Sequence, residues 1–198
     1  MGKPLLLDLF CKAGGAGMGY SRAGFEVIGV DIEPQPRYPF TFHQSDAVEF
    51  LQMLISNSLA WLKLSDISSI HASPPCQRYS MITVVHGSEV IESHPDLVDV
   101  IRKLLHQTGK PFVIENVVGA PLNGSLMLCG SMFNLEVKRH RIFEGHVPMF
   151  APFACRHDYW AVPVYGHSGA GANRNRERER EDVVTASKIG REQWALIG

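Results

Sequence analysis

Leu5-Leu-Leu-Asp-Leu-Phe10-Cys-Lys-Ala-Gly14-Gly15 sets a short apolar run directly against a glycine-rich turn. An apolar run of that length suits a buried strand, and glycines let a backbone turn sharply and approach a ligand closely. Residues 17–24 suit a short helix behind the turn. Phe25-Glu-Val-Ile-Gly-Val-Asp31 reads as a second strand ending in an acid. Asp46 opens a further helix, with Glu49 three residues on as in a capping box. Ile67 to Ser73 reads as a strand that stops at Pro74-Pro75. Residues 95–108 form a helix with Leu97, Val98, Ile101, Leu104 and Leu105 on one face and Gly109 as the stop. Pro111-Phe-Val-Ile-Glu115 is the next strand.

Alternation of this kind specifies an α/β fold, a mostly parallel Rossmann-like sheet with helices on both faces. Ligands of such sheets bind at the carboxyl ends of the strands. Phe10, Asp31, Asp46, Cys76 and Glu115 stand at those ends and are the candidates for chemistry. After about residue 144 the pattern dissolves into glycine, proline, aromatic and arginine residues. Residues 1–144 are therefore expected to form the main domain, and 145–198 a short irregular C-terminal segment, its stretch Gly166 to Asp182 poor in apolar residues and mobile.

The chain has 198 residues, 45% of them apolar, which suffices for one ordinary core. It holds no apolar stretch of about 20 residues, the length a membrane span needs. Leu5 to Leu7 is too short for a signal peptide and is broken at once by Asp8. Cys11, Cys76, Cys129 and Cys155 stand far apart with no CxxC pair, which argues against a disulfide framework. The formal net charge of −1 conceals an asymmetry. Between residues 137 and 176, Lys138, Arg139, Arg141, Arg156, Arg174 and Arg176 face only Glu144 and Asp158. That imbalance points to an anionic partner for this part of the chain.

Asp31 lies at the distance from the glycine turn where an acid commonly binds ribose hydroxyls, roughly 20 residues on. Asp46 serves equally well as a plain helix N-cap, and Phe10 and Ile32 as core. In Ser73-Pro74-Pro75-Cys76-Gln77 the two prolines stiffen the backbone and present the cysteine rigidly. A displayed cysteine can act as a nucleophile, whereas most free cysteines are buried and inert. Glu115 ends its strand on the same sheet edge, where a carboxylic acid needs a partner or a task. Arg139 and Arg141, alternating in an extended segment, share one face and suit a carbonyl oxygen, a phosphate or Glu115 itself.

As an ordered set, Asp8-Leu-Phe10…Gly14-Gly15, Asp31, Asp46, Pro74-Pro75-Cys76-Gln77, Glu115-Asn116-Val117 and Arg139-His140-Arg141 resemble the motifs of cytosine-5 DNA methyltransferases. The resemblance covers about residues 5–144, and the compact layout looks like short members carried by bacteriophages. It implies an S-adenosylmethionine-dependent methyltransferase fold. Phe10, Gly14, Gly15, Asp31, Ile32, Asp46, Ala47, Pro74 and Leu97 are then the residues expected to hold S-adenosyl-L-methionine. It further implies Cys76 as the nucleophile on cytosine, Glu115 as hydrogen-bond or proton donor to the ring, Arg141 at the base oxygen and Arg139 in support of the cysteine region. The implied substrate is double-stranded DNA with the target base flipped out of the helix. The implied protein is a cytoplasmic monomer of a bacterium or phage-infected cell, without membrane or metal. Gln77 to His94 has the length and polarity of a lid over the base. Two other readings keep the fold: a non-catalytic DNA- or cofactor-binding remnant, and an RNA cytosine methyltransferase.

The sequence departs from the family pattern in two places. Lys12 stands where the glycine turn usually has glycine, and is expected to weaken cofactor binding. After Arg141 the family's sizeable recognition region is reduced and its final Asn-containing motif finds no match, while Thr185 to Gly198 resembles a worn remnant of the motif before it. A reduced recognition segment, whole or truncated, is therefore expected over 145–198. Within it Arg174, Arg176, Arg178 and Arg180 alternate with Asn175, Glu177 and Glu179. They suit either a phosphate-tracking face or a self-neutralised loop. Cys155-Arg156-His157 opens a metal motif for which no second ligand pair stands at zinc spacing, so no metal is expected.

Overall fold

The computed structural model describes residues 2–79, 96–135 and 137–157. The ordered elements are β1 (Leu5–Leu9), α1 (Gly15–Arg22), β2 (Glu26–Asp31), β3 (Thr41–Gln44), α2 (Ala47–Ile55), β4 (Ile67–Ala72), α3 (Val98–Thr108), β5 (Phe112–Asn116), β6 (Leu126–Cys129) and β7 (His140–Gly145). They form one seven-stranded sheet in the order β3-β2-β1-β4-β5-β7-β6. Strands β1 to β5 are parallel. β7 runs antiparallel to both β5 and β6. The chain moves outward from β1 to β3 and then returns to the other side of β1 with β4, so a crevice opens at the carboxyl ends of β1 and β4. The lid expected over Gln77 to His94 lies, beyond residue 79, outside the described residues. So do the mobile stretch, the arginine series and Thr185 to Gly198.

The α/β reading of the sequence holds, and the sheet shows why its strands look so apolar. Leu7, Leu9, Ile28, Val30, Ile70, Ala72 and Ile114 point to one face. There they meet Phe50, Leu51 and Leu54 of α2 and Ile101 and Leu105 of α3. Full burial of side chains of this size stabilises by roughly 1.5–3 kcal/mol each. α2 starts where the sequence places it. Asp46 Oδ1 accepts from the Val48 and Glu49 backbone N–H groups at 2.8 and 3.1 Å. α1 lies on the opposite face and begins earlier than expected, because Gly14 turns the chain at φ 86 and forms its N-cap. β7 runs to Gly145, so the irregular segment begins after it.

That second face carries polar groups in a buried setting. Asp8 and His71 are register partners on β1 and β4, and are 0% and 4% exposed. Tyr38 Oη donates to Asp8 Oδ2 at 3.2 Å, while Asp8 Oδ1 has no partner among the described residues. Tyr20 Oη lies 3.1 Å from His71 Nδ1. Burial pushes the Asp8 carboxyl up to about 7, opposed by the Tyr38 hydroxyl and the Gly17 N–H. Burial pulls His71 down to about 4. Tyr38 also decides a residue of β2: a Cβ at Gly29 would stand 2.3 Å from its ring, so only glycine fits beneath it.

A candidate active site at the carboxyl edge

The turn after β1 is built from residues in left-handed conformation: Phe10 at φ 59, Lys12 at φ 45 and Gly14 at φ 86. For the two with side chains this costs roughly 1–2 kcal/mol each. The turn is held by β2. The Lys12 N–H donates to Asp31 Oδ2 at 3.0 Å, and the Glu33 N–H to Asp31 Oδ1 at 3.0 Å. Asp31 is thus a clasp between two turns and is only 2% exposed. The Lys12 side chain bends outward to Glu33, 2.9 Å away, with Nζ 3.8 Å from Asp31 Oδ1. Gly14 has a second constraint besides its φ, since a Cβ there would meet Tyr38 and Pro39 at 2.9 Å.

The other cofactor candidates fall on the same edge. Ile32 follows β2 and is 63% exposed, which removes the core reading and leaves an apolar surface beside Asp31. The Ser45 N–H donates to the Asp31 carbonyl at 3.0 Å, which brings Asp46 and Ala47 next to the end of β2. Both cap bonds of Asp46 use one oxygen, so the capping role occupies half of its carboxylate. Ala47 is buried in the core, and Leu97 packs against it from the position before α3. Phe10 is half-buried at the turn.

β4 delivers Ser73-Pro74-Pro75-Cys76 to the adjoining position. The Ser73 N–H donates to the Leu9 carbonyl at 3.2 Å, and Ser73 Oγ to the Phe10 carbonyl at 3.3 Å. On the other side buried Asn116 donates from Nδ2 to the Pro74 carbonyl at 3.0 Å. The cysteine turn is therefore fixed to both neighbouring strands. Pro74 is buried and Cys76 partly accessible. Beyond it, Arg78 and Tyr79 both engage Asp96 ahead of α3. Ser73 and Asn116, which tether this turn, are not singled out by sequence reasoning. Both sit inside motifs quoted for other residues, and their flanking position was the available signal.

Glu115 and Arg141 form an ion pair, Oε1 to Nε 2.7 Å, with both side chains about a fifth to a quarter exposed. Antiparallel register produces it: Asn116 faces Ile142 and Glu115 faces Phe143, so Arg141 lies just past the end of β5. Burial pushes the Glu115 carboxyl above its ordinary value, against the pull of Arg141 and Arg139. Burial and the like charge of Arg141 lower Arg139, while Glu115 and Cys76 act on it in the opposite sense. Arg139 therefore lies within electrostatic reach of acid and thiol together. The edge carries a carboxyl raised above its ordinary value, a thiol and two guanidinium groups, a set suited to covalent attack on a polar heteroaromatic ring.

The fold adds a grouping that sequence spacing does not show. Cys155 and His157 do have a second ligand pair in space: Cys129 and His140 join them, with all four ligand atoms within 4.8 Å of one another. Sequence spacing does not reveal these partners, because β6 and β7 bring Cys129 and His140 opposite each other only across the ladder.

The family model of the C-5 cytosine-specific DNA methylase matches residues 5–123. The Type II methyltransferase M.XorII of Xanthomonas oryzae pv. oryzae is 29% identical over 128 residues, 60% of this chain and 29% of that protein. The Type II methyltransferase M1.HphI of Haemophilus parahaemolyticus is 30% identical over 117 residues, 56% of this chain and 32% of that protein. The chain thus spans about a third of the length of these curated relatives. A solved DNMT2 variant of Spodoptera frugiperda superposes on 83% of this chain and 56% of its own, with TM-score 0.51 and 17% identity, a likeness of fold. With more than half of its length matched from β1 through the strand that carries Glu115, this chain belongs to the C-5 cytosine-specific DNA methylase family.

Proposed function

We propose that the chain transfers a methyl group from S-adenosylmethionine to carbon 5 of cytosine in double-stranded DNA. The observation that carries the reading is the convergence of the Cys76 turn, the Glu115–Arg141 pair and Arg139 on one sheet edge. The turn of Phe10 to Gly14, the exposed Ile32 and the remaining carboxylate oxygen of Asp46 suit the cofactor, with Asp31 ordering the loop around it. When bound, S-adenosylmethionine supplies an electrophilic methyl on a positively charged sulfur.

Cys76, as thiolate, adds to carbon 6 of the ring and forms a carbon–sulfur bond. The ring electron pair moves toward nitrogen 3, where Glu115 supplies a proton or hydrogen bond. Burial keeps a proton on Glu115 at higher pH than in water, which suits that task. Arg141 orients Glu115 and offers its remaining donors to the base oxygen; Arg139 lies near both reacting groups. Carbon 5, made nucleophilic, would take the methyl as its bond to sulfur breaks, with the cofactor leaving as the neutral thioether. Water takes the proton of carbon 5, its electron pair re-forms the 5,6 double bond, the bond to Cys76 breaks to restore the thiolate, and the proton at nitrogen 3 returns to Glu115. A stacked base exposes neither face to such attack, so the cytosine must leave the helix.

The test is methyl transfer from labelled cofactor to mixed-sequence duplex DNA, read as 5-methylcytosine after digestion, with Cys76→Ala and Glu115→Gln beside the parent and tRNA as a competing substrate. Label on carbon 5 in the parent alone supports the assignment. Cofactor binding without transfer to either nucleic acid would favour a binding remnant, and transfer to tRNA alone an RNA enzyme.

A further inference from the structure

We infer that Cys129, His140, Cys155 and His157 form a structural zinc site that fastens the segment after β7 to the edge of the sheet. This is independent of the methyl-transfer reading. Cys129 ends β6 and His140 begins β7, and the two are register partners, so their side chains leave the same face of the ladder. Residues 146–157 carry no helix or strand, yet their end returns to that spot. Cys155 Sγ lies 3.4 Å from His140 Nε2 and 2.8 Å from His157 Nε2, and Cys129 Sγ lies 3.4 Å from His157 Nε2.

Around a tetrahedral zinc ion, with Zn–S about 2.3 Å and Zn–N about 2.0–2.1 Å, neighbouring ligand atoms stand about 3.3–3.8 Å apart. Two of the sulfur–nitrogen distances, 3.4 Å each, fall in that range, a third is shorter at 2.8 Å, and no pair exceeds 4.8 Å, so small shifts bring the four atoms around one ion. Two thiolates and two neutral imidazoles match the dication in charge, and four protein ligands leave no open position, as in structural sites. The surroundings fit as well. The backbone N–H groups of Ser131 and Arg139 are directed at the Cys129 sulfur. Ser131 Oγ lies 3.4 Å from Cys155 Sγ and accepts from the Arg156 N–H at 3.2 Å. Such outer contacts fix ligand orientation. Binding releases the two thiol protons, with no change of oxidation state.

The site has a bearing on the edge described above. His140 stands between Arg139 and Arg141 in sequence, and an extended strand sends it to the opposite face from them. An ion gripping His140 from behind therefore fixes the strand that presents both arginines.

The experiment is to purify the full chain under reducing conditions, measure metal content, and replace the metal with Co²⁺. One zinc per chain, and a cobalt form with thiolate charge-transfer and tetrahedral ligand-field bands, are expected. His157→Ala and Cys155→Ser should weaken metal binding on the order of 100-fold or more, while Cys76→Ser retains it. Chelation should speed chymotrypsin cleavage at the exposed Phe150 and Phe153 in the parent. A reduced parent that binds neither metal in stoichiometric amount, a Cys129–Cys155 disulfide in the freshly purified chain, or equal loss of metal in Cys76→Ser would each overturn the assignment.

Discussion

Asp8→Asn and His71→Asn should reverse each other's effect on the pH dependence of stability. The two side chains neighbour one another on β1 and β4, both buried. His71 is held down to about 4 from an ordinary 6.5 by burial. Between those values the unfolded chain binds a proton at His71 that the folded chain refuses, so His71 alone makes stability fall as pH falls. At about 1.4 kcal/mol per pH unit the full loss is about 3–4 kcal/mol. Asp8, raised by burial from 3.8 to about 7, does the opposite. The folded chain keeps a proton there that the unfolded chain has lost, so stability falls as pH rises across that interval, by about 4 kcal/mol. In the parent, from about 4 to 6.5, each state holds one proton on the pair: on Asp8 when folded, on His71 when unfolded. The two contributions cancel over that range. Asp8→Asn leaves His71 alone and should produce a protein that weakens on acidification. His71→Asn leaves Asp8 alone and should weaken as pH rises. The assay is urea unfolding of parent and both variants at a series of pH values from about 4 to 7, read as the slope against pH so that any constant packing penalty drops out. Parallel curves for the three proteins would refute the reasoning.

Asn116→Ala strands the Pro74 carbonyl and the Val117 N–H, which Asn116 Oδ1 accepts at 2.8 Å. It should destabilise by about 2–4 kcal/mol, measured by urea unfolding; a loss under about 1 kcal/mol would mean the cysteine turn does not depend on this tether. Arg102 pairs with Glu144 through two bonds of 2.8 and 2.9 Å and ties α3 to β7. Arg102→Met should cost about 3–5 kcal/mol at neutral pH by leaving a buried carboxylate unpaired. Although burial acts upward on Glu144, its bonds to Arg102 and to the Asn123 N–H hold it below its ordinary value. The stability it contributes is therefore present above 4.5 and lost as pH falls through its folded value, and the variant's deficit should shrink on acidification. A deficit constant with pH would contradict this. Lys12→Gly removes a strained left-handed residue and gives up an exposed pair with Glu33 and a longer one, 3.8 Å, with Asp31. Stability should change by less than about 1 kcal/mol, and calorimetry should find S-adenosylmethionine bound more tightly. Unchanged affinity would show that Lys12 does not interfere.

The parallel half of the fold is legible in sequence because its strands, buried on both faces, are continuous apolar runs closed by glycine, proline or an acid. β1, β2 and β5 announce themselves in this way, whereas β4, Ile67-Ser-Ser-Ile-His-Ala72, is marked mainly by the two prolines that stop it. β3 has neither mark: Thr41-Phe-His-Gln44 is a short edge strand without a run. β7 carries Arg141 and Glu144 among its residues, and only the fold reveals that each is paired, with Glu115 and with Arg102. The candidate site is readable to the same degree. Parallel strand ends must share an edge, so Cys76 and Glu115 could be placed together from their strands alone. Contacts that depend on antiparallel register could not, which is why the Cys129–His140 pairing escaped and the Arg141 partner stayed open among three possibilities. Asn116 and Ser73 bind backbone carbonyls, and a backbone partner leaves no trace in the sequence.

Tyr38 links positions that sequence comparison would treat as independent. Its ring sits where side chains at Gly14 and Gly29 would have to go, and its hydroxyl serves Asp8. Glycine in a phosphate- or cofactor-type turn is usually credited to the ligand. Here part of that credit belongs to an aromatic ring of the protein itself. Positions 29 and 38 should consequently drift as a couple during divergence: where the ring is exchanged for a small residue, strand position 29 becomes free to take alanine or valine, while Gly14 stays pinned by its left-handed backbone.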